Sequence, residues 1–157
     1  MTVIAYKDGI IAADRAASRC DTITECQKLF VKGEVVFALH EFLAAAHGMM
    51  LWYLDGANPS EYSFPKYKAE EAEDWAGLIV FDKELFEFEK FTIKIPIVGE
   101  YNAWGNGREF ALGAMAVGAT AVEAVCAASK HCAGCGFGVD FVDLSKPLVI
   151  KNQRARK

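Results

Sequence analysis

Residues 2–14 read TVIAYKDGIIAAD, and this stretch decides the fold. Thr2 to Tyr6 are β-branched, apolar or aromatic, Lys7-Asp8-Gly9 offers a tight turn, and Ile10 to Ala13 are apolar again. Two strands joined by an Asp-Gly hairpin are the straightforward reading. Both runs are apolar at successive positions, not only at alternate ones. Such strands are buried on both faces, as in the middle of a layered domain. The chain is therefore expected to begin inside its own core.

Working outward, residues 15–21 are small and polar, and a second hairpin follows: Ile23 to Val31, a Lys32-Gly33 turn, and Glu34 to Ala38. Leu39 to Leu54 is long enough for a helix, and Gly56 stands where a left-handed cap would end it before a polar, proline-bearing loop. A further set of strands is expected at Ala76 to Phe81, Leu85 to Phe88 and Phe91 to Ile95, with Asp82-Lys83 as a turn and Pro96 as a terminator. Arg108 to Val117 reads as a helix stopped at Gly118. Thr120 to His131 reads as another, with Thr120 and Glu123 at capping-box spacing. The glycine-rich residues 134–138 lead to a last strand, Val139 to Leu144. Strands, helix, strands, two helices and strand, in that order, predict an α+β class fold: a four-layer αββα sandwich of two antiparallel sheets. Residues 1–150 form a single domain, and 151–157 a basic C-terminal tail.

A chain of 157 residues with 53% hydrophobic and 24% charged residues fits one domain with a sizeable core. The net charge of −4 argues against nucleic acid as a partner, because such binding needs a basic face to release counterions from phosphate. Lys151, Arg154, Arg156 and Lys157 make the basic cluster, and read as a solvated end. Five cysteines is an odd number, and no charged segment followed by an apolar run opens the chain, so a cytoplasmic protein with reduced thiols is expected. Phe37 to Leu54 is the longest apolar stretch, but His40, Glu41 and His47 interrupt it. It reads as core, not as a membrane span.

Three residues carry the chemistry: Thr2, Asp14 and Lys28. Once Met1 is removed, Thr2 would hold both a hydroxyl and a free α-amine, whose ordinary pKa of roughly 7.7–8.0 suits it to take a proton from that hydroxyl. A lysine nearby would favour the developing alkoxide, and a carboxylate would hold the lysine in place. Asp14 ends the strand paired with that of Thr2, and Lys28 is placed mid-strand in the next hairpin. Taken singly, each also has a plain structural reading, as a common second residue, a turn cap and a surface lysine.

The arrangement TVIAYKDGIIAADR followed by QKLF resembles the proteasome β-subunit and HslV peptidase family of N-terminal nucleophile hydrolases, and the resemblance runs along almost the entire chain. Thr2, Asp14 and Lys28 match its catalytic threonine, aspartate and lysine. AWGNGREFALGAM is similar to the family's Gly-Ser-Gly segment opening a helix, with Asn106 at the serine's place; ATAVEAV and GCGFGVD are similar to the next helix and the turn into the last strand. Ser18 matches the segment that pairs with an extended substrate by backbone hydrogen bonds, and reads equally as a loop serine. Leu39 and His40 fall where the family has its oxyanion glycine, making them candidate substrate-binding residues. The family's amine-orienting Asp and Ser are replaced here by the stretch His131, Cys132, Ala133, Gly134, Cys135.

The resemblance implies a threonine-type endopeptidase acting on polypeptides without a cofactor, assembled into homo-oligomeric stacked rings, and leaves an ATP-dependent unfoldase open as a partner. The helix face bearing Met49, Met50 and Trp52 would supply subunit contacts. The changed positions keep open a catalytically silent assembly protein, and the chemistry keeps open amidohydrolysis of a small amide. Other motifs fail on spacing. His40, Glu41 and His47 lack the zinc-peptidase interval, Cys132 and Cys135 lack a second pair, and Gly105-Asn106-Gly107 lacks the rest of a phosphate loop. No metal site is expected.

Overall fold

The computed structural model describes residues 2–19, 21–56, 76–89 and 94–153. Met1, the proline-bearing loop after Gly56, Phe91 and the terminal residues Arg154, Arg156 and Lys157 lie outside the described residues. β1 (Ile4–Lys7) and β2 (Ile10–Asp14) form the expected first hairpin, with Ala5 opposite Ala12. Asp8 and Gly9 both take positive φ, 50° and 73°. Successive left-handed residues match the twist of the flanking strands, which is why Asp-Gly suits a two-residue hairpin.

The hairpin sits inside a five-stranded antiparallel sheet of order β10-β1-β2-β11-β12, where β10 is Tyr101–Trp104, β11 Val139–Asp143 and β12 Lys151–Gln153. A second antiparallel sheet has the order β5-β6-β7-β8-β9: Leu29–Lys32, Val35–Glu41, Ala76–Asp82, Glu84–Phe88 and Lys94–Pro96. A short two-stranded ribbon, β3 (Ala16–Arg19) and β4 (Thr22–Glu25), projects between them in sequence.

Side-chain alternation sorts the core into three clusters, which define the layers. Val3, Ala5 and Ala12 face α2 (Arg108–Ala116) and α3 (Ala121–His131), while Ile4, Ile11 and Ala13 face the second sheet. On the second sheet Val36 and Ala38 meet the first, whereas Phe37 and Leu39 pack under α1 (Leu43–Leu54). The result is α2/α3, sheet, sheet, α1: the αββα sandwich, with its central strands covered on both faces as their composition requires. Thr120 and Glu123 form the capping box, Thr120 Oγ1 accepting from Glu123 N at 3.2 Å and Glu123 Oε2 from Thr120 N at 2.9 Å. Among the described residues no helix is long and apolar enough to cross a membrane.

Several local expectations need correction. Ile23 to Val31 is not one strand: β4 ends at Glu25 and β5 starts at Leu29, so Lys28 lies just before a strand and not within one. Residues 26–28 carry the chain from the ribbon into the second sheet. The expected helix from Leu39 starts only at Leu43, because Leu39, His40 and Glu41 continue β6 opposite Leu78, Gly77 and Ala76. Met49, Met50 and Trp52 are not a contact surface; they lie on the buried face of α1, where Phe37, Val80 and Phe88 supply the apolar partners. β10 and β12 add strands at opposite edges of the first sheet, and Lys151–Gln153 therefore pair with β11 instead of opening a tail.

Candidate active site

The site assembles where β1 begins and β2 ends, beside the start of β5. Antiparallel pairing puts Ile4 opposite Ala13, so the next pair outward brings Val3 to Asp14, whose N–H donates to Val3 O at 3.1 Å. Thr2 follows, 2% exposed, with its carbonyl accepting from Gly107 N at 3.1 Å. The segment from Trp104 to Arg108 explains its own glycines. Gly105 has φ +82°, and a Cβ there would collide with the Thr2 carbonyl oxygen. A Cβ on Gly107 would fall 2.8 Å from Val3 Cβ. Both glycines are needed for the backbone to close over the amino end.

Asp14 is the hub. Its Oδ1 accepts from Val3 N at 2.9 Å and Lys28 Nζ at 2.6 Å; its Oδ2 accepts from Ala16 N and Gly136 N, each at 3.0 Å. The Asp14 and Lys28 side chains are fully buried. Four donors on one buried carboxylate satisfy its lone pairs and fix its orientation. An ion pair without exposure to water contributes geometry more than net stability, since desolvation offsets much of its attraction.

A second ion network braces the first. Arg15 donates through its Nη1 to Asp140 at 2.8 and 2.7 Å and through Nε to Glu25 at 2.9 Å. The Asp140 bond, more than the desolvation it works against, holds the Arg15 pKa above its ordinary value. Asn152 Nδ2 also donates to Asp140 at 2.8 Å, and Arg15 N to Gly136 O at 2.9 Å. Sequence reasoning missed Arg15, Asp140 and Gly136 as supporting residues; the Asp14-Arg15 dipeptide was the available signal.

The other sequence-predicted residues are more scattered. Asn106 is exposed on the turn between its two glycines, and Ser18 is exposed on β3 opposite Ile23. The Leu39 side chain is buried under α1, leaving its backbone, whose N–H donates to Lys28 O at 2.9 Å. Glu41, which follows Leu39 and His40 at the end of β6, has φ +59°, in the left-handed region that non-glycine residues seldom take. His40 lines a cavity of about 390 Å³ together with Gly105 and Arg108. Burial works against charging His40, but Glu41 and Glu87 outweigh it and raise its pKa, and His40 in turn lowers theirs. Cys135, its thiol pKa raised by burial, closes a turn through its N–H to Cys132 O at 3.1 Å.

The overall architecture has counterparts among solved structures. Thiobacillus denitrificans BPH in complex with epoxomicin aligns at 16% identity with a TM-score of 0.65, covering 96% of this chain and 97% of that one. The same protein without that compound in its description aligns at 15% with a TM-score of 0.66 and the same coverage. HslV from Trypanosoma brucei aligns at 17% with a TM-score of 0.64, covering 89% of this chain and 96% of that one. This is the proteasome-like Ntn-hydrolase fold. No family model matches the sequence, and no curated protein does either. Within that fold, Asp14 links the buried Lys28 to the backbone beside Thr2.

Proposed function

We propose that this protein is a threonine-type endopeptidase that uses Thr2, freed by removal of Met1, as its nucleophile. The buried Lys28–Asp14 pair at 2.6 Å, hydrogen-bonded through Asp14 to the N–H of Val3, carries this reading. A lysine and a carboxylate buried at the amino end have no packing role that apolar residues would not fill better. Thr2 Oγ attacks the peptide carbonyl while the threonine's own α-amine takes the hydroxyl proton and passes it to the leaving amine. Water then attacks the resulting ester, returning Thr2 and releasing the acid. Lys28 favours the developing alkoxide, Asp14 positions Lys28, and backbone N–H groups at the His40–Glu41 corner receive the oxyanion. Homo-oligomeric rings and polypeptide substrates follow from the same reading, by analogy with the fold's peptidases.

The test is covalent labelling. Intact mass first establishes whether Met1 is absent. Incubation with epoxomicin, the compound found with the Thiobacillus protein, is expected to add one inhibitor mass to the wild type and none to Thr2→Ala. An unlabelled wild type that also leaves fluorogenic peptides intact would favour the second reading, a silent assembly protein. That reading is motivated by Cys132 and Cys135 standing where an amine-orienting Asp and Ser are expected.

A further inference from the structure

The cavity beside Thr2 has a chemistry that the hydrolytic step does not use. It lies between the ends of β6, β8 and β10 and the first turn of α2, and Gly105, the residue that abuts the Thr2 carbonyl, forms part of its wall. Gly105 thereby joins the cavity to the residue proposed as nucleophile. Its polar lining is Glu41, Glu87, Glu89, His40 and Arg108. Carboxylates outnumber cations three to two even when His40 is protonated, and three to one when it is neutral.

His40 supplies the independent observation. It is 6% exposed, and neither ring nitrogen has a hydrogen-bond partner among the described residues. Glu87 lies 3.3 Å from Nε2 and Glu41 3.7 Å from Nδ1, close enough for ion pairing but without hydrogen-bond geometry. The ring stands over Gly77, opposite it on β7, where any Cβ would strike the imidazole. Glu87 is further anchored by Trp104 Nε1 at 2.9 Å. A buried imidazole without hydrogen-bond partners among the described residues, set among three carboxylates, marks this cavity as built for a polar ligand and not as packing.

Resting on the peptidase reading, we propose that this cavity binds the protonated side chain of a substrate lysine or arginine adjacent to the scissile bond. An ammonium carries three donors and no acceptor, which suits the carboxylates of Glu41, Glu87 and Glu89; a guanidinium offers five. Trp104 and Ala103 wall the space in which the aliphatic stem lies. An acidic side chain would meet three carboxylates and is excluded.

Two measurements test this separately from the peptidase reading. Internally quenched peptides carrying Lys, Arg, norleucine or Glu at each residue flanking the cleaved bond are compared by kcat/KM. The cationic peptides are expected to exceed norleucine by about tenfold or more at one of the two positions. The same peptides are titrated against Thr2→Ala by fluorescence polarisation, where the same ranking is expected in Kd. Glu89→Lys, a change at an exposed position, is expected to invert the ranking in favour of glutamate. Cleavage or binding indifferent to charge, or a ranking that Glu89→Lys leaves in place, overturns the cation site. Cation-selective binding without cleavage keeps the site and removes the peptidase reading; cleavage without charge preference does the reverse.

Discussion

Asp14 receives hydrogen bonds from Val3, Ala16, Lys28 and Gly136, so a change at Lys28 strips a buried carboxylate of its only side-chain partner among the described residues. Lys28→Met is expected to lose about 3–5 kcal/mol of stability in urea unfolding, together with epoxomicin labelling. Adding Asp14→Asn in the same chain is expected to restore part of that stability without restoring labelling, because the stranded charge is gone but the alkoxide partner is still missing. If the double variant is no more stable than Lys28→Met alone, buried charge is not what destabilises it. His40 behaves differently. Its pKa is raised in the folded state, so its contribution is fully present below its ordinary value of about 6.5 and fades as pH rises through the folded one. Glu41 and Glu87 have lowered values, so theirs is present above about 4.5 and fades on acidification. The Tm difference between wild type and His40→Gln should therefore be largest between about pH 4.5 and 6.5 and shrink toward pH 8. A difference that grows above pH 7 would contradict the pairing.

Elements differ in how clearly their residues announce them. The Asp8-Gly9 turn and the Thr120 capping box are local devices whose partners lie within a few positions, and both stand where the sequence puts them. Thr120→Ala is expected to cost about 1 kcal/mol, read by denaturant midpoint at unchanged slope. Boundaries that depend on tertiary pairing were harder to see. Phe37 to Leu54 is apolar apart from His40, Glu41 and His47, and a buried strand running into a buried helix has no periodicity to mark the change; pairing with Gly77 and Ala76 on the neighbouring strand holds His40 and Glu41 in β6. β10 is a four-residue run, YNAW, with Asn102 in it, and it is a strand because β1 has a free edge to offer. Likewise Lys151–Gln153 looks like solvated tail until β11 pairs with it. Of the candidate site, Thr2, Asp14 and Lys28 were legible together because a hairpin register and a motif relate them. Arg15 and Asp140 were not, being 125 positions apart and joined only by the sheet.

At the scale of the whole molecule, the exposed apolar residues of α1 and its entry are Phe42, Leu51 and Leu54, not the buried methionines below them. An assembled ring would cover such residues. Leu51→Lys with Leu54→Lys is expected to convert an oligomer to monomer in light scattering while leaving the far-UV spectrum unchanged; an oligomer that persists would place the contacts elsewhere.

The Asp14 carboxylate draws its donors from both ends of the polypeptide, the first β-hairpin and the glycine-rich turn at Gly136. A chain still emerging from the ribosome holds Thr2, Asp14 and Lys28 long before Gly136 arrives. Its cleft is unfinished for most of its synthesis. Under the proposed peptidase reading, hydrolytic competence would be deferred until the last sheet strands dock, sparing the nascent chain premature self-digestion.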